Sequence, residues 1–495
     1  MKKATYVNLS IAIIIIIALL RFIFALTHTV SGDACWHLSA SRFIATENSI
    51  PLFEGIGRLQ PFWAPPLFHF VAAFFYKIAT PISINLADLS LKLVSPIFAT
   101  LTIILLFLLT RRLFDEKIAF YSMVFINFIP LFLDYSIFSY VGSTTTFFSL
   151  LSIYLMLNNR YFLASTSLGL AMLTKYNAIF VYPMLLYLAY KIVKEKKLPN
   201  VKLAIVAIIP FIISSLWLIR NFILLKNPFW PFLNEVFNGI EKGIVFSEIN
   251  LANLLSLKTY FSSYLEIFGI PNGNFALLSF YDIPFLGLLF FIWIIATMIF
   301  IFPFIKGLLQ KTASKRDERI FLKSIYILFA SYLVMMLLYI VNVGWFGTRL
   351  LLPIIPFIAI IWAQGLDSIK IKKIYLVILL LIGTGFIITQ GIKLTIASNQ
   401  WDFYEQDFKW VTKNTPNDAT LYGNGQCLPY NINRPVINHR TDLDPEQVDY
   451  VWVNNKWNVD FKMNSNSLTA IENSDKLKQI YNNPQTGTVI YETTR

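Results

Sequence analysis

Apolar stretches long enough to cross a bilayer recur from the N-terminus to about residue 393, and nothing else in the chain restricts its fold as much. About eleven meet the roughly 17–25-residue requirement of a spanning helix. They fall at 6–27, 89–110, 118–134, 143–157, 161–174, 177–191, 202–219, 281–305, 320–341, 350–366 and 374–393. Of the 495 residues, 56% are hydrophobic and 14% charged, against roughly 45–50% and about 25% for a soluble domain. That composition argues against a soluble globular enzyme and excludes a disordered chain, collagen and a disulfide scaffold. Lys2 and Lys3 precede an apolar run from Ile11 to Leu20, as in a signal peptide. The run continues past Arg21 to Leu26 without a small-residue cleavage site, so it reads as an uncleaved first transmembrane helix.

The net charge of +13 raises the question of a nucleic-acid partner. Residues 401–495 carry 12 acidic and 9 basic residues, while the upstream part carries 32 basic and 16 acidic. The basicity therefore belongs to the apolar part, where cytoplasmic loops require it, and no nucleic-acid partner is expected. Lys2/Lys3, Arg111/Arg112/Lys117, Arg160, Lys191/Lys194/Lys196/Lys197, Lys306/Lys311/Lys315/Arg316/Arg319 and Lys370/Lys372/Lys373 fall on one side if the N-terminus is cytoplasmic. Eleven crossings then place the C-terminal segment outside.

The expected organisation is a transmembrane domain over 1–397, with outer loops at 30–88 and 220–281, followed by an extracytoplasmic domain over 398–495. In that tail the runs "DYVWVN" and "TVIYE" read as strands, and "DFKWVTKN" reads as a short helix ending before Pro416. A small α/β domain results. Cys35 and Cys427 both fall on the outer side, where they can pair and tie the tail to the first loop. Two free cysteines in apolar surroundings are the commoner outcome.

Asp33 stands about where the chain leaves the bilayer, a conspicuous place for a carboxylate. If residues 34–47 form an interfacial helix, Asp33 and His37 share a face, while Trp36, Phe43 and Ile44 meet lipid or the transmembrane core. The plainer alternative makes Asp33 a helix N-cap. The loop continues with "LQPFWAPPLFHF", where Pro65 and Pro66 end an extended stretch.

An acidic residue after the first span, followed some thirty residues later by an aromatic-Pro-Pro-Leu segment, resembles the first outer loop of membrane-embedded glycosyltransferases of the C class (GT-C). Protein mannosyltransferases and the lipid A aminoarabinose transferase belong to that group. Three later segments carry the same resemblance. "AMLTKYNAIFVYP" contains Lys175, Tyr176 and Pro183. "SLWLIRNFILLKNPFWPF" contains Trp217, Arg220, Asn221, Asn227, Pro228 and Pro231, with Lys226 where the family usually has Gly. "GTRLLLPIIPF" contains Arg349, Pro353 and Pro356. The resemblance covers the transmembrane part. It implies a multi-pass α-helical membrane protein with about eleven transmembrane helices, GT-C-like, and a small C-terminal extracytoplasmic α/β domain.

The implied activity is inverting transfer of a sugar from a polyprenyl- or dolichyl-phosphate lipid to an acceptor hydroxyl on a protein, glycan or lipid, at the outer membrane face. Such a transfer needs a base for the acceptor hydroxyl and cations for the leaving phosphate. Asp33 fits the first role. Lys175, Arg220 and Arg349 fit the second, because they sit at outer ends of spans against the positive-inside pattern. Their bland alternative is snorkelling to lipid headgroups. His37, Glu54, Pro66, Asp134, Tyr176 and Asn221 are expected to line the site.

The resemblance also implies a second acidic residue near Gly142 or Ser143, and this chain departs from it: the one carboxylate of that loop is Asp134. A divalent metal, Mg²⁺, Mn²⁺ or Zn²⁺, has Asp33, His37 and Asp134 as candidate ligands, with Glu47 and Glu54 behind them. The four histidines, His28, His37, His69 and His439, show no ligand spacing and read first as structural. There is no Walker loop or dinucleotide fingerprint, which disfavours a soluble nucleotide donor. Two rival classes stay open: a transporter or flippase for a lipid-linked glycan, and a non-catalytic scaffold of the same fold.

Overall fold

A computed structural model describes residues 3–28, 30, 32–52, 61–230, 232–239, 250–257, 259–260, 263, 267, 301–309, 316–344, 346–369, 405–423, 427–434, 436–438, 444–454 and 465–494. The first helices in chain order are α1 (Lys3–Thr27), α2 (Asp33–Glu47), α3 (Leu67–Ala79), α4 (Ile84–Leu91), α5 (Val94–Leu113), α6 (Glu116–Ile126), α7 (Pro130–Ile137) and α8 (Gly142–Leu157). They are followed by α9 (Tyr161–Met172), α10 (Tyr182–Glu195), α11 (Val201–Leu225), α12 (Arg316–Val343) and α13 (Ile355–Ser368). The C-terminal segment contributes α14 (Glu405–Asn414), α15 (Leu428–Ile432) and α16 (Ser465–Glu472). Short 3₁₀ helices at Tyr176–Val181 and Thr348–Ile354 run directly into α10 and α13.

Six helical stretches among the described residues are long and apolar enough to cross a membrane, and the bent pair α6–α7 makes a seventh. The chain is a multi-pass membrane protein. The expected count of eleven is not reached, for two reasons. The stretches at 142–157 and 161–172 form apolar helices shorter than a span, and 374–393 with most of 281–305 lies outside the described residues.

Two compact units divide the chain. The first comprises Met1–Ala25, Pro65–Phe68 and Leu93–Ile392; the second comprises Leu26–Ala64, His69–Lys92 and Lys393–Arg495.

In the first unit, α6 starts on Asp115, whose side chain accepts from the Ile118 amide at 2.8 Å. The span then breaks by 68° before Pro130, which has no amide hydrogen to continue the ladder. Arg21, buried on α1, braces the break: its Nε donates to Ser136 Oγ at 2.8 Å and its Nη2 to Asn127 Oδ1 at 2.5 Å. α9 and α11 approach closely at Gly169, where an added Cβ would lie 2.8 Å from Ile213 Cβ and 3.1 Å from the Pro210 carbonyl oxygen. Only a residue without a side chain permits that approach.

In the second unit, five strands form a sheet: β1 (Leu421–Gly423), β2 (Ile437–Asn438), β3 (Tyr450–Asn454), β4 (Leu477–Asn483) and β5 (Thr488–Thr493). Their spatial order is β2-β1-β3-β5-β4, with β1 parallel to both neighbours and the β3–β5 and β5–β4 pairs antiparallel. Period-two alternation divides β3 between two cores. Tyr450 and Trp452 pack with Phe408, Val411, Leu428 and Ile432 of α14 and α15, whereas Val451 and Val453 pack with Ile471 of α16. The small α/β arrangement expected of the tail is present. Its hairpin β4–β5 is tied to α14 by the buried Asp407 carboxylate, which accepts from Tyr481 Oη (2.5 Å), Asn483 Nδ2 (2.8 Å) and Thr488 Oγ1 (2.7 Å).

Candidate functional site

Two of the three expected phosphate-binding cations come together in the first unit. Lys175 Nζ lies 4.9 Å from the Tyr140 ring centroid and donates to its hydroxyl at 3.4 Å. The Arg349 guanidinium lies 5.3 Å from the same centroid. Local structure explains the meeting. Lys175 immediately precedes the 3₁₀ helix Tyr176–Val181, and Arg349 is the second residue of Thr348–Ile354. Asn177 Nδ2 donates to the Leu350 carbonyl at 2.8 Å, which pins one short helix to the other. Tyr140 itself is fixed by Ser95, whose Oγ donates to the Tyr140 carbonyl (3.1 Å) and accepts from its amide (3.0 Å).

Arg220 belongs to an adjoining group. Its guanidinium stacks 4.7 Å from the Trp217 ring, and Nη1 donates to Asn221 Oδ1 at 2.9 Å. Asn221 Nδ2 and Trp217 Nε1 both donate to the Tyr176 hydroxyl, each at 3.0 Å. Tyr176 and Asn221 therefore hold the arginine's surroundings together, and Tyr176 follows Lys175 in the chain. All three cations are half-buried. Lys226, the departure from the family's Gly, caps α11 in the left-handed region at φ 58°, where Gly meets no steric cost.

In the second unit, Asp33 is the first residue of α2. The N-cap position is taken by Gly32, which has no side chain to cap the helix, and Asp33 follows it in the first turn. Of the three apolar residues named on α2, Trp36 and Ile44 are buried and Phe43 is exposed. His37, one turn after Asp33, is buried with its Nδ1 3.0 Å from His69 Nε2. Trp36 and Phe62 enclose this imidazole pair, Phe62 standing edge-on to His69 at 5.2 Å and Trp36 edge-on to His37 at 4.8 Å.

Cys35 and Cys427 are joined in a disulfide, so the two-free-thiol alternative does not hold. Among the described residues no three His, Cys, Asp or Glu side chains gather as a metal ion would require. Asp134 is half-buried on α7, Glu47 is exposed at the end of α2, and Pro66 is buried just ahead of α3. Glu54, Pro231 and His439 lie outside the described residues. Sequence reasoning missed three participants. Tyr140 carries no charge and stands in no motif, His69 needed a tertiary partner, and Arg42 lies inside α2 with acceptors far along the chain.

Residues 64–219 match the family model described as dolichyl-phosphate-mannose-protein mannosyltransferase. No curated protein matches the chain. Among solved structures, the apo form of ArnT from Cupriavidus metallidurans superposes with a TM-score of 0.63 at 13% identity, covering 99% of this chain and 98% of that one. ArnT has also been solved bound to undecaprenyl phosphate; that form aligns with a TM-score of 0.54 at 14% identity, covering 99% and 98%. The Archaeoglobus fulgidus oligosaccharyltransferase in complex with Zn and sulfate gives a TM-score of 0.59 at 15% identity, covering 97% of this chain and 73% of that one.

Proposed function

On the premise that this multi-pass chain has the GT-C fold, we propose that it transfers a sugar from a polyprenyl- or dolichyl-phosphate lipid to an acceptor hydroxyl. Asp33 is the base, and Lys175, Arg220 and Arg349 hold the phosphate. The observation that carries this reading is the meeting of Lys175 and Arg349 at one Tyr140 ring. An aromatic face attracts a cation without cancelling its charge. Two like charges brought to one ring repel, and an anion bound between them converts that cost into attraction. A phosphate monoester is such an anion, and Arg grips its oxygens in a bidentate manner where Lys acts as a point charge.

In the proposed step, the Asp33 carboxylate takes the acceptor's hydroxyl proton as the acceptor oxygen bonds to the anomeric carbon. The bond from that carbon to the phosphate oxygen breaks, its electron pair stays on the oxygen, and the lipid phosphate leaves against the three cations. A single displacement inverts the anomeric centre. The donor class is supported by the family model at 64–219 and by the undecaprenyl phosphate of the ArnT complex. The Archaeoglobus enzyme has likewise been solved with a dolichol-phosphate and an inhibitory peptide.

The site faces away from the cytoplasm in this reading. The Cys35–Cys427 disulfide supports that orientation, because disulfides persist in oxidising compartments. So does the clustering of basic loops on the opposite side. The test is a transfer assay with purified protein and a panel of polyprenyl-phosphate sugars, with and without chelator. Donor-dependent loss of sugar from the lipid, abolished in Asp33→Asn, is the expected outcome. Full activity of Asp33→Asn would remove Asp33 from the base's role, and the chelator arm decides metal dependence.

A further inference from the structure

Helix α2 carries Asp33 at its first position and is held at two places by one short element of the C-terminal segment. Near its start, Cys35 is bonded to Cys427, the residue just ahead of α15. Two turns later Arg42, buried, makes four hydrogen bonds from one guanidinium. Nη1 donates to the Tyr430 carbonyl and to Asn433 Oδ1, both at 2.9 Å. Nε and Nη2 donate to Asp88 Oδ1 at 3.0 and 2.7 Å. Its plane also lies 4.7 Å from the Tyr430 ring. Tyr430 belongs to α15, and Asn433 is its left-handed C-cap.

A rigid rod attached at one point can pivot; attached at two points along its length it cannot, and the four bonds on the Arg42 guanidinium oppose its spin as well. Asp33 stands nine residues from Arg42, about 13 Å along a helix. If Arg42 were the sole anchor, a tilt of roughly 5° would carry the carboxylate about 1 Å, and a misplacement of that size can cost about 100-fold in rate. From this geometry we infer that Arg42 and the Cys35–Cys427 bond are positioning groups for Asp33, which makes the C-terminal α/β segment part of the catalytic apparatus. Neither group touches the reacting atoms. The inference rests on the reading of Asp33 as base, and it concerns how that base is held.

The test uses the full-length protein in nanodiscs and three variants: Arg42→Gln, Arg42→Lys and Cys35→Ser/Cys427→Ser. The readouts are kcat, KM for the lipid donor, and hydrogen exchange of the α2 amides. Arg42→Gln is expected to lower kcat about tenfold with KM unchanged within twofold, and to speed exchange across α2. The double serine variant is expected to lower kcat about 100-fold, because it frees the end that bears Asp33. Arg42→Lys should fall between wild type and Arg42→Gln, since an ammonium can pair with Asp88 but cannot span all three acceptors.

Should the serine variant not fold, a phosphine reductant applied to folded wild type makes the same cut, with the same loss of kcat expected. Full kcat in Arg42→Gln and after the disulfide is broken, in a protein whose wild type is active, overturns the inference alone. A rise in KM at unchanged kcat also overturns it, since the groups would then serve donor binding. A wild type inactive on every donor overturns the functional reading, and this inference with it.

Discussion

Arg42 in the second unit and Arg349 in the first are both withdrawn from solvent, but their surroundings differ. The Arg42 guanidinium donates four bonds to internal acceptors, two of them to a carboxylate that balances its charge. Arg349 shares the Tyr140 ring with a second cation, Lys175. The first arrangement fixes a position and leaves little of the charge to act elsewhere. The second brings two positive charges to one aromatic ring. A buried or half-buried arginine is thus not by itself a sign of a binding site; Arg42 serves a fixed internal network, whereas Arg349 stands beside a second cation.

The largest effect that tests this contrast is expected at the shared ring. Arg349→Ala should reduce kcat/KM by about 100- to 1,000-fold, or roughly 3–4 kcal/mol of transition-state stabilisation, in the donor assay. Arg349→Lys should recover part of it, because charge is restored without the bidentate fork. Tyr140→Phe keeps the ring and should cost only a few-fold, while Tyr140→Leu should cost about tenfold. If Tyr140→Leu were as active as wild type, the ring would not be what gathers the two cations.

The second unit also holds a buried carboxylate, Asp407, with three donors on it, and the consequence there is stability. Asp407→Ala strands the Tyr481, Asn483 and Thr488 donors that now bond its carboxylate. A loss of about 3 kcal/mol is expected, read as a lower unfolding midpoint of the full-length protein. Donor KM should not change.

Tyr430, beside Arg42, supplies a pH-dependent measure of the same unit. Burial pushes its phenol up to about 12, with Arg42 pulling the other way. The folded state therefore keeps the proton that the unfolded chain releases near pH 10. Stability from this group is complete below about pH 10 and is lost as pH rises to about 12, by roughly 3 kcal/mol in all. Ultraviolet titration of tyrosinate against thermal midpoints at pH 9, 10 and 11 checks it. Arg42→Gln removes the opposing charge and should move this phenol higher still.

Much of this was legible in the chain itself. Apolar run length located the helices at 3–27, 94–113, 201–225 and 316–343, because lipid imposes a length on any spanning segment. The apolar run "DYVWVN" reads as a strand, and the structure buries it on both faces. Their positions against the positive-inside pattern draw attention to Lys175, Arg220 and Arg349, and two of them meet at Tyr140. The rest depended on tertiary juxtaposition. Tyr140 is a neutral ring whose role exists only because Asn177 pins two 3₁₀ helices together. The acceptors of Arg42 on α15 lie 388 and 391 residues away in the chain, beyond any local pattern. The 68° break between α6 and α7 was read as one span, since hydropathy does not register a bend.

The smallest expected effect concerns the position where this chain departs from the GT-C pattern. Lys226 ends α11 with φ at 58°, its amide donating to the Phe222 carbonyl at 3.0 Å, and its side chain is exposed. A residue with a Cβ is strained there and Gly is not, which explains the usual Gly through backbone geometry alone. Lys226→Gly should therefore stabilise the protein by up to about 1 kcal/mol, seen as a rise of a degree or two in the unfolding midpoint. Transfer should be unaffected, because the lysine side chain is exposed. A loss of activity on Lys226→Gly would instead make its charge a fourth cation acting on the donor, and the line drawn above between positioning and acting cations would have to move to include it.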